Sequence, residues 1–251
     1  MDGFESPYVE RLPHRTGARV RLFCLPHAGG SARAYRTFHQ HLPRDVEVCA
    51  IQPPGRDQRI AEPALGDLST LVREIVAAIV PLLDRPFALF GHSMGALAAY
   101  ETARALRDRG SPAPASLFVS GCRAPHLPHD GRPLHDLDDA AFLERLRRYD
   151  GTPEFVLRDP ELAQLFLPTI RADLCAMETY RFQPGPAVAC PVVACGGVQD
   201  PDVSREQLAR WCDLTSGRFE IAMFPGGHFY LREREARVVQ LVAESLEDLA
   251  H

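Results

Sequence analysis

The stretch LFGHSMGALAAY, residues 89–100, carries a single serine, Ser93, between two glycines at the end of an apolar run. A strand that turns sharply into a helix of small residues exposes the residue at the corner, and flanking glycines avoid clashes there. A serine at such a corner is typical of a nucleophile for acyl transfer. The alternative is an ordinary turn between a strand and a helix, because G-x-S-x-G alone is a weak signal.

A serine nucleophile needs a general base, and the base needs a carboxylate that orients it. In folds with this corner the chain order is serine, acid, histidine. The run CPVVACGG leads into VQDPDVS with Asp200 and Asp202, and FEIAMF leads into PGGHFYL with His228. We predict His228 as the base and Asp200, in preference to Asp202, as its partner. Simpler interpretations stay open, since Asp200 can cap a helix near Ser204 and a loop histidine is often only solvated.

Acyl transfer also needs hydrogen-bond donors for the negative oxygen of the tetrahedral intermediate. The backbone N–H of Met94, directly after the serine, is one expected donor. The second donor must come from a loop after an early strand, and FCLPHAGGS offers such a loop at Ala28, Gly29 and Gly30. Because Ser31 suits a helix N-cap, the alternative is a turn that only starts a helix.

Short apolar runs bounded by Gly or Pro alternate with helical patterns along the chain. The predicted strands are Val20–Leu25, Val46–Ile51, Phe87–Phe90, Ser116–Ser120, Val192–Cys195 and Phe219–Phe224. The predicted helices are Ser31–Leu42, Leu68–Leu83, Met94–Arg109, Ser204–Trp211 and Glu233–Leu249. This alternation predicts an α/β fold with a mostly parallel central sheet flanked by helices. Ser93, Asp200 and His228 then each follow a strand, at the edge of the sheet where ligands bind.

From about Ala124 to Pro186 the chain contains no convincing strand. The stretch RAPHLPHDGRPLHD precedes two helical patterns, LDDAAFLERLRRYD and DPELAQLFLPTIRADLCAMETYRF. An insertion of this length between two strands is uncommon as a mere connection. We interpret residues 124–186 as a helical lid over the site, within a single domain that spans residues 1–251. The alternative is a structural helical subdomain.

Composition limits the classes of function. The 251 residues are 45% hydrophobic, and a net charge of −5 gives no sign of a nucleic-acid partner. The start MDGFESPYVERLPHR is unlike a signal peptide, and no run approaches the roughly 18 apolar residues of a membrane span. The seven cysteines lack close C-x-x-C pairs, so we expect reduced thiols in a cytoplasmic protein. No spacing favours a metal, and we interpret as solvated the histidines His39, His41, His126, His129 and His135.

Taken together, the motifs resemble the type II thioesterases that accompany polyketide and nonribosomal peptide synthases, and their relatives that serve fatty acid synthases. The resemblance extends nearly end to end, through LFCLPHAGGSARAY, IQPPGRDQRI, FALFGHSMGALAAYE, LFVSGCRAP, LPTIRADLCAMETY, CGGVQDPDVS and FPGGHFYL. PHAGG, PGRDQR and LPTIRADLCAMETY carry most of the weight, because a lipase or haloperoxidase would not show them together. Two positions depart from the family pattern: Asp150 stands where a second glycine is favoured, and Asp57 where glutamate is commoner.

The resemblance implies an α/β-hydrolase fold with Ser93 as nucleophile, His228 as base and Asp200 as its partner. It also implies oxyanion donors at the amides of Ala28 and Met94. The implied activity is hydrolysis of acyl thioesters on the phosphopantetheine arm of an acyl or peptidyl carrier protein. This reaction clears arms that are blocked by wrong priming or by premature decarboxylation of the bound acyl group. The resemblance implies no cofactor and no metal, and it indicates a monomer.

Other functions stay open at this point. A broad-specificity carboxylesterase shares every catalytic part, and a medium-chain fatty acyl thioesterase is a further alternative. A non-catalytic module that binds carrier proteins would not need the intact set of catalytic residues. Because carrier proteins are typically acidic, we expect a basic docking patch, for which ERLRRYD with Arg145, Arg147 and Arg148 is a candidate. The alternative for this patch is a solvated helix face.

Overall fold

A central β-sheet organises the chain. The computed structural model describes residues 6–128, 133–149, 151–152 and 154–247. Its strands are β1 (Val9–Leu12), β2 (Val20–Leu25), β3 (Val46–Ile51), β4 (Phe87–His92), β5 (Ser116–Ser120), β6 (Val192–Gly197) and β7 (Phe219–Phe224). They form one sheet in the order β1-β3-β2-β4-β5-β6-β7, which is parallel except for β1. The predicted α/β class with a mostly parallel sheet is confirmed.

The strands agree closely with the sequence pattern. Strands β2, β3, β5 and β7 have the predicted bounds, whereas β4 and β6 continue two residues further, to His92 and Gly197. Every residue of β2 to β6 is buried, which is why continuous apolar runs located these strands. Strand β1 was not predicted, because its sequence VERL is half-buried at the sheet edge and carries no apolar run.

Helices flank the sheet between the strands. They are α1 (Leu68–Ile79), α2 (Met94–Asp108), α3 (Asp139–Tyr149), α4 (Glu154–Arg158), α5 (Pro160–Glu178), α6 (Arg205–Ala209) and α7 (Tyr230–Leu246). The predicted helix over Ser31–Leu42 is wrong, since this segment forms two short 3₁₀ turns. With three residues per turn, Tyr35 and Phe38 lie on one side, and both rings pack against Phe90.

Two apolar layers cover the sheet, because neighbouring residues of a strand point to opposite faces. Phe23 and Leu89 belong to one layer together with residues of α1 and α2. Leu22 and Phe90 belong to the other layer, with residues of α7. A third cluster lies between β5 and β6 in the chain and joins α3, α4 and α5 around Phe142. None of the helices in the described ranges is long and apolar enough to cross a membrane.

Candidate active site

Ser93 occupies a strained corner between β4 and α2. Its backbone has φ 55° and ψ −119°, a left-handed conformation that costs a non-glycine residue roughly 1–3 kcal/mol. The N–H of Ser93 donates to the carbonyl oxygen of Ser120 at 2.7 Å, which ties the corner to β5. The sharp strand-to-helix reversal predicted for GHSMG is therefore present, with the serine side chain half-buried at the carboxyl end of the sheet.

The two glycines of the motif are required because the neighbouring backbone leaves no room for a side chain at either position. A Cβ on Gly91 would lie 2.0 Å from the carbonyl oxygen of Gly95. A Cβ on Gly95 would lie 2.1 Å from the carbonyl oxygen of Leu25, at the end of β2. Any side chain at these positions would push the start of α2 away from β4 and from the loop that follows β2. The first turn of α2 thus packs directly against the end of β2, which leads into the predicted oxyanion loop.

Asp200 and His228 are hydrogen-bonded at the ends of the neighbouring strands β6 and β7. The distance between His228 Nδ1 and Asp200 Oδ2 is 2.8 Å, and the Asp200 side chain is fully buried. The other oxygen, Oδ1, accepts the N–H of Asp202 at 2.9 Å and the N–H of Val203 at 3.3 Å. A helix cap is not the role of Asp200, because Ser204 caps α6 with its own capping box. Of the two predicted carboxylates, Asp200 is the one that holds the imidazole.

The loops that carry this pair pack against each other through glycine. A Cβ on Gly197 would lie 2.2 Å from the carbonyl oxygen of Gly227, so the loops after β6 and β7 approach as closely as backbone allows. The His228 ring lies 5.3 Å from the ring of His92, the residue before Ser93, and 5.1 Å from the ring of Phe229. A cleft of about 330 Å³ opens at His228, lined by both loops, the start of α7 and Arg145 of α3.

His92 and His27 are neutral neighbours of His228 that the sequence analysis did not single out. His92 is buried, and its Nδ1 lies 2.8 Å from Ser120 Oγ, which in turn lies 2.6 Å from the hydroxyl of Tyr230. Burial lowers the pKa of His92 well below its usual range. Burial also lowers the pKa of His27 to about 3. His27 lies in PHAGG, just after the buried strand β2, and His92 lies in GHSMG, at the end of the buried strand β4. These positions are the sequence signal that could have revealed both histidines.

The loop after β2 has the conformation that its glycines permit. Gly29 has φ 75°, and the N–H of Gly30 donates to the carbonyl oxygen of His27 at 2.8 Å in a tight turn. The N–H of Gly29 donates to Asp173 Oδ2 of α5 at 2.7 Å, so it is already engaged. Ala28 is half-buried in this loop and Met94 begins α2, and their amides stay the predicted oxyanion donors.

Other predicted features lie elsewhere or differ from expectation. His126 and His135 are less solvated than expected, because each ring packs beside a carboxylate, Asp213 at 3.1 Å and Glu178 at 2.6 Å. Arg147 is half-exposed and lies 3.6 Å from Glu144. His129, Asp150 and the side chain of Arg148 lie outside the described residues.

One group of side chains has the spacing of a metal site among the described residues. The ligand atoms of Asp200, Asp202 and His228 lie within 4.8 Å of one another. The hydrogen bond between Asp200 and His228 accounts for the closeness of two of the three without an ion. The arrangement as a whole can therefore support nucleophilic acyl transfer by its own side chains.

Comparison with known proteins places this geometry in one family. The thioesterase domain family model matches residues 20–248. The gramicidin S biosynthesis protein GrsT of Aneurinibacillus migulanus is 39% identical over 92% of this chain and 90% of its own length. The thioesterase PikA5 of Streptomyces venezuelae is 42% identical over 95% of this chain and 85% of its own. The solved structure of the type II thioesterase BorB from the borrelidin biosynthetic cluster superposes with a TM-score of 0.89, at 38% identity, over 97% of this chain and 99% of that one.

These matches cover nearly the whole chain, and the high TM-score to BorB agrees with the mostly parallel sheet flanked by helices. The chain belongs to the thioesterase family, as a type II thioesterase with the α/β-hydrolase fold and a serine hydrolase that acts on thioesters.

Proposed function

We propose that this thioesterase hydrolyses acyl groups from the phosphopantetheine arm of acyl or peptidyl carrier proteins, and so clears aberrant groups during polyketide or nonribosomal peptide biosynthesis. The observation that carries the proposal is the hydrogen bond between the buried Asp200 carboxylate and His228, beside the Ser93 corner. The biosynthetic setting is supported by the gramicidin S and borrelidin origins of the relatives GrsT and BorB.

The first half of the reaction forms an acyl-enzyme. A carboxylate only accepts hydrogen bonds, so the Nδ1–H of His228 donates to Asp200 Oδ2 and keeps its proton, while Nε2 keeps its lone pair. Nε2 takes the hydroxyl proton of Ser93 as Oγ attacks the thioester carbonyl carbon. The tetrahedral intermediate then collapses, the C–S bond breaks, and the imidazolium returns its proton to the leaving thiolate.

The second half releases the acid. A water molecule loses its proton to Nε2 of His228 and attacks the acyl carbon on Ser93. The C–Oγ bond breaks, Oγ regains a proton from the imidazolium, and the free carboxylic acid leaves. In both halves the N–H groups of Ala28 and Met94 donate to the oxyanion. This assignment of the two donors is supported by the positions of Ala28 and Met94, which follow the adjoining ends of β2 and β4. No step in this scheme requires a cofactor.

We further propose one domain over residues 1–251, with residues 124–186 as a lid. A contact between the connection after α3 and the histidine loop supports the lid. A Cβ on Gly151 would lie 2.7 Å from the Phe229 ring, and Arg232 donates to the carbonyl oxygen of Gly151 at 2.7 Å. We also propose a cytoplasmic monomer, in keeping with seven free thiols, of which Cys24, Cys49, Cys190 and Cys195 are buried.

The test compares wild type with Ser93→Ala on an acetyl-phosphopantetheinyl carrier protein, with deacylation followed by mass spectrometry. Ser245→Ala is the matched control, because this serine is exposed on α7 and its hydroxyl donates to the carbonyl oxygen of Leu241 in the same helix. We expect rapid deacylation by wild type and by the control, and loss of at least 10³-fold in Ser93→Ala.

Each other outcome points to a different function. If wild type cleaves a simple oxygen ester and leaves the carrier acylated, the protein is a carboxylesterase and the editing role is wrong. Preference for long free acyl thioesters over the carrier-bound acetyl group would favour a fatty acyl thioesterase. Absence of labelling at Ser93 by a fluorophosphonate probe would favour a non-catalytic carrier-binding module.

A further inference from the structure

One buried ion pair joins three sequence motifs that are far apart in the chain. Arg56 of PGRDQR and Asp173 of LPTIRADLCAMETY form two hydrogen bonds, 2.6 Å from Nη1 to Oδ2 and 2.8 Å from Nη2 to Oδ1. Both side chains are almost fully buried, with 4% and 2% of their surface exposed. The third motif is PHAGG, whose glycines contact this pair directly. A buried charge pair is retained only with good geometry and further hydrogen bonds, and this pair has both.

Both partners hold the backbone of the PHAGG loop. Oδ2 of Asp173 accepts the N–H of Gly29 at 2.7 Å as well as the Arg56 bond. Nη1 of Arg56 donates to the carbonyl oxygen of Gly30 at 3.0 Å. The two glycines that follow Ala28 are therefore each fixed by a hydrogen bond to this pair, Gly29 at its N–H and Gly30 at its C=O. The Gly29 N–H is bound to Asp173 and the Gly30 N–H to the carbonyl oxygen of His27, so neither glycine amide is available to the oxyanion, which favours Ala28 as the donor.

Helix α5 approaches the loops through one short segment. The hydroxyl of Thr169, four residues before Asp173 and so on the same helix face, donates to the carbonyl oxygen of Gly55 at 2.7 Å. The Ile170 side chain fills the space beside Gly29, where an added Cβ would lie 2.7 Å from its Cγ1. This helix lies within the 124–186 segment interpreted as a lid. Thr169, Ile170 and Asp173 thus connect it to the loops that follow β2 and β3.

We propose that Asp173, held by Arg56, is a positioning residue that fixes the PHAGG loop so that the Ala28 N–H faces the oxyanion. The inference rests on the proposed role of Ala28 in the reaction. An oxyanion donor is effective only when its direction is set before the reaction, and a glycine-rich turn does not set its own direction. The carboxylate supplies that constraint from α5. The helical segment is then part of the catalytic geometry as well as a cover over it.

The double variant is chosen so that neither charge of the buried pair is left alone. Arg56→Met/Asp173→Leu removes both partners, and replacing a buried pair by apolar residues of similar size is often neutral for stability. Asp173→Asn is the conservative variant, which keeps one carbonyl oxygen for three donors. The control is Arg21→Met/Glu47→Leu, another buried pair, in which Glu47 also accepts a backbone N–H from Arg15. The outer partners of this pair, Arg11 on Glu47 and Asp84 on Arg21, both reach solvent. This pair lies where β2 and β3 begin, at the opposite end of the sheet from Ser93.

The readout is hydrolysis of an acyl thioester of N-acetylcysteamine, together with inhibition by a trifluoromethyl ketone that forms an oxyanion on Ser93. Removing one oxyanion donor costs on the order of 10²–10³ in rate, so we expect kcat of the double variant to fall at least tenfold with KM within twofold. The inhibition constant should rise by the factor by which kcat/KM falls. The kcat of Asp173→Asn should lie between those of the double variant and wild type, at least threefold below wild type. The control should keep kcat within twofold of wild type.

Two results would overturn the proposal. One is a folded Arg56→Met/Asp173→Leu variant whose kcat and inhibition constant both stay within twofold of wild type. If that variant does not fold, Asp173→Asn decides, and a kcat within twofold of wild type overturns the proposal. Since the substrate is a small thioester, failure of wild type to deacylate a carrier protein would reject the proposed function and leave this test intact.

Discussion

Asp200 divides its two carboxylate oxygens between the His228 ring and its own loop. Oδ2 accepts the Nδ1–H of His228 at 2.8 Å, while Oδ1 accepts the N–H groups of Asp202 and Val203. The carboxylate therefore cannot rotate without losing bonds on both sides. This arrangement fixes the histidine tautomer and the ring direction together.

Replacing Asp200 by asparagine should impair catalysis far more than folding. The amide still has one acceptor oxygen, but its NH₂ group must face either His228 or the two backbone N–H groups. If it faces His228, the imidazole takes the wrong tautomer, and we expect kcat to fall by on the order of 10³–10⁴. Steady-state hydrolysis of a small acyl thioester measures the loss.

Asp202→Asn is the comparison, because Asp202 is the neighbouring carboxylate that the sequence left as the alternative partner. Its side chain is exposed, and it contacts Asp200 through its backbone N–H, which the substitution keeps. A loss of less than tenfold is expected. Equal losses in the two variants would show that Asp200 is not the sole orienting carboxylate.

Gly91→Ala should destabilise the corner that holds Ser93. A Cβ at this position meets the backbone oxygen of Gly95 at 2.0 Å, so the start of α2 must shift. Overpacking against backbone costs at least 1–3 kcal/mol, and the free energy of unfolding should fall by that amount or more. Gly17→Ala is the control, since a Cβ there meets no atom within 4 Å. Urea unfolding of both variants checks the difference, and equal midpoints would contradict it.

The strand ends that carry the candidate site were easier to predict from the sequence than the elements around them. Ser93, Asp200 and His228 each follow a continuous apolar strand, and the strand ends of a parallel sheet converge at one edge. Strand β1 was not predicted, because the half-buried residues of this edge strand form no continuous apolar run. The segment 31–42 was wrong because Tyr35 and Phe38 pack at three-residue spacing, which helical periodicity does not distinguish from an α-helix.

The buried polar network had no local signal at all. Arg56 and Asp173 are 117 residues apart and each looks like a surface charge in its own segment. Likewise, nothing near His92 in the chain reveals that Ser120 and Tyr230 complete its surroundings. Partners of this kind are set by the tertiary fold, because a buried polar group takes whichever donor or acceptor the packing supplies.

Acidification should reveal the buried neutral His92. Above the ordinary histidine pKa of about 6.5, this ring is neutral in the folded and unfolded states alike. Below that value the unfolded chain binds a proton that the folded protein excludes, because burial lowers the folded-state pKa of His92. Stability therefore falls as the pH falls below 6.5. His92→Asn keeps an amide near Ser120 Oγ and cannot titrate, so its melting temperature should drop less than that of wild type between pH 7 and pH 5.

His39→Asn is the control for this pH dependence. Its ring is on the surface and bonds to the carbonyl oxygen of Arg36 three residues away. The control should follow the wild-type melting temperatures across the same range. If His92→Asn loses as much stability on acidification as wild type, the buried imidazole does not set the acid sensitivity.

Recognition of an acidic carrier protein is the remaining question for α3. Arg147 is half-exposed on this helix, and Arg145 lines the cleft at His228, so a carrier seated here would lie close to the site its arm must reach. Long-range attraction between charges affects association more than chemistry. Arg147→Glu should therefore raise KM for an acyl carrier protein by about three- to tenfold at low salt, and leave kcat/KM for a free acyl thioester unchanged.

Arg218→Glu is the matched reversal, on an exposed arginine just before β7, at the opposite end of that strand from His228. The effect of Arg147→Glu should also shrink as salt rises, because the screening length shortens to about 3 Å at 1 M. A KM that responds equally to both reversals would reflect net charge alone, and an unchanged KM in Arg147→Glu would leave α3 as a solvated helix face.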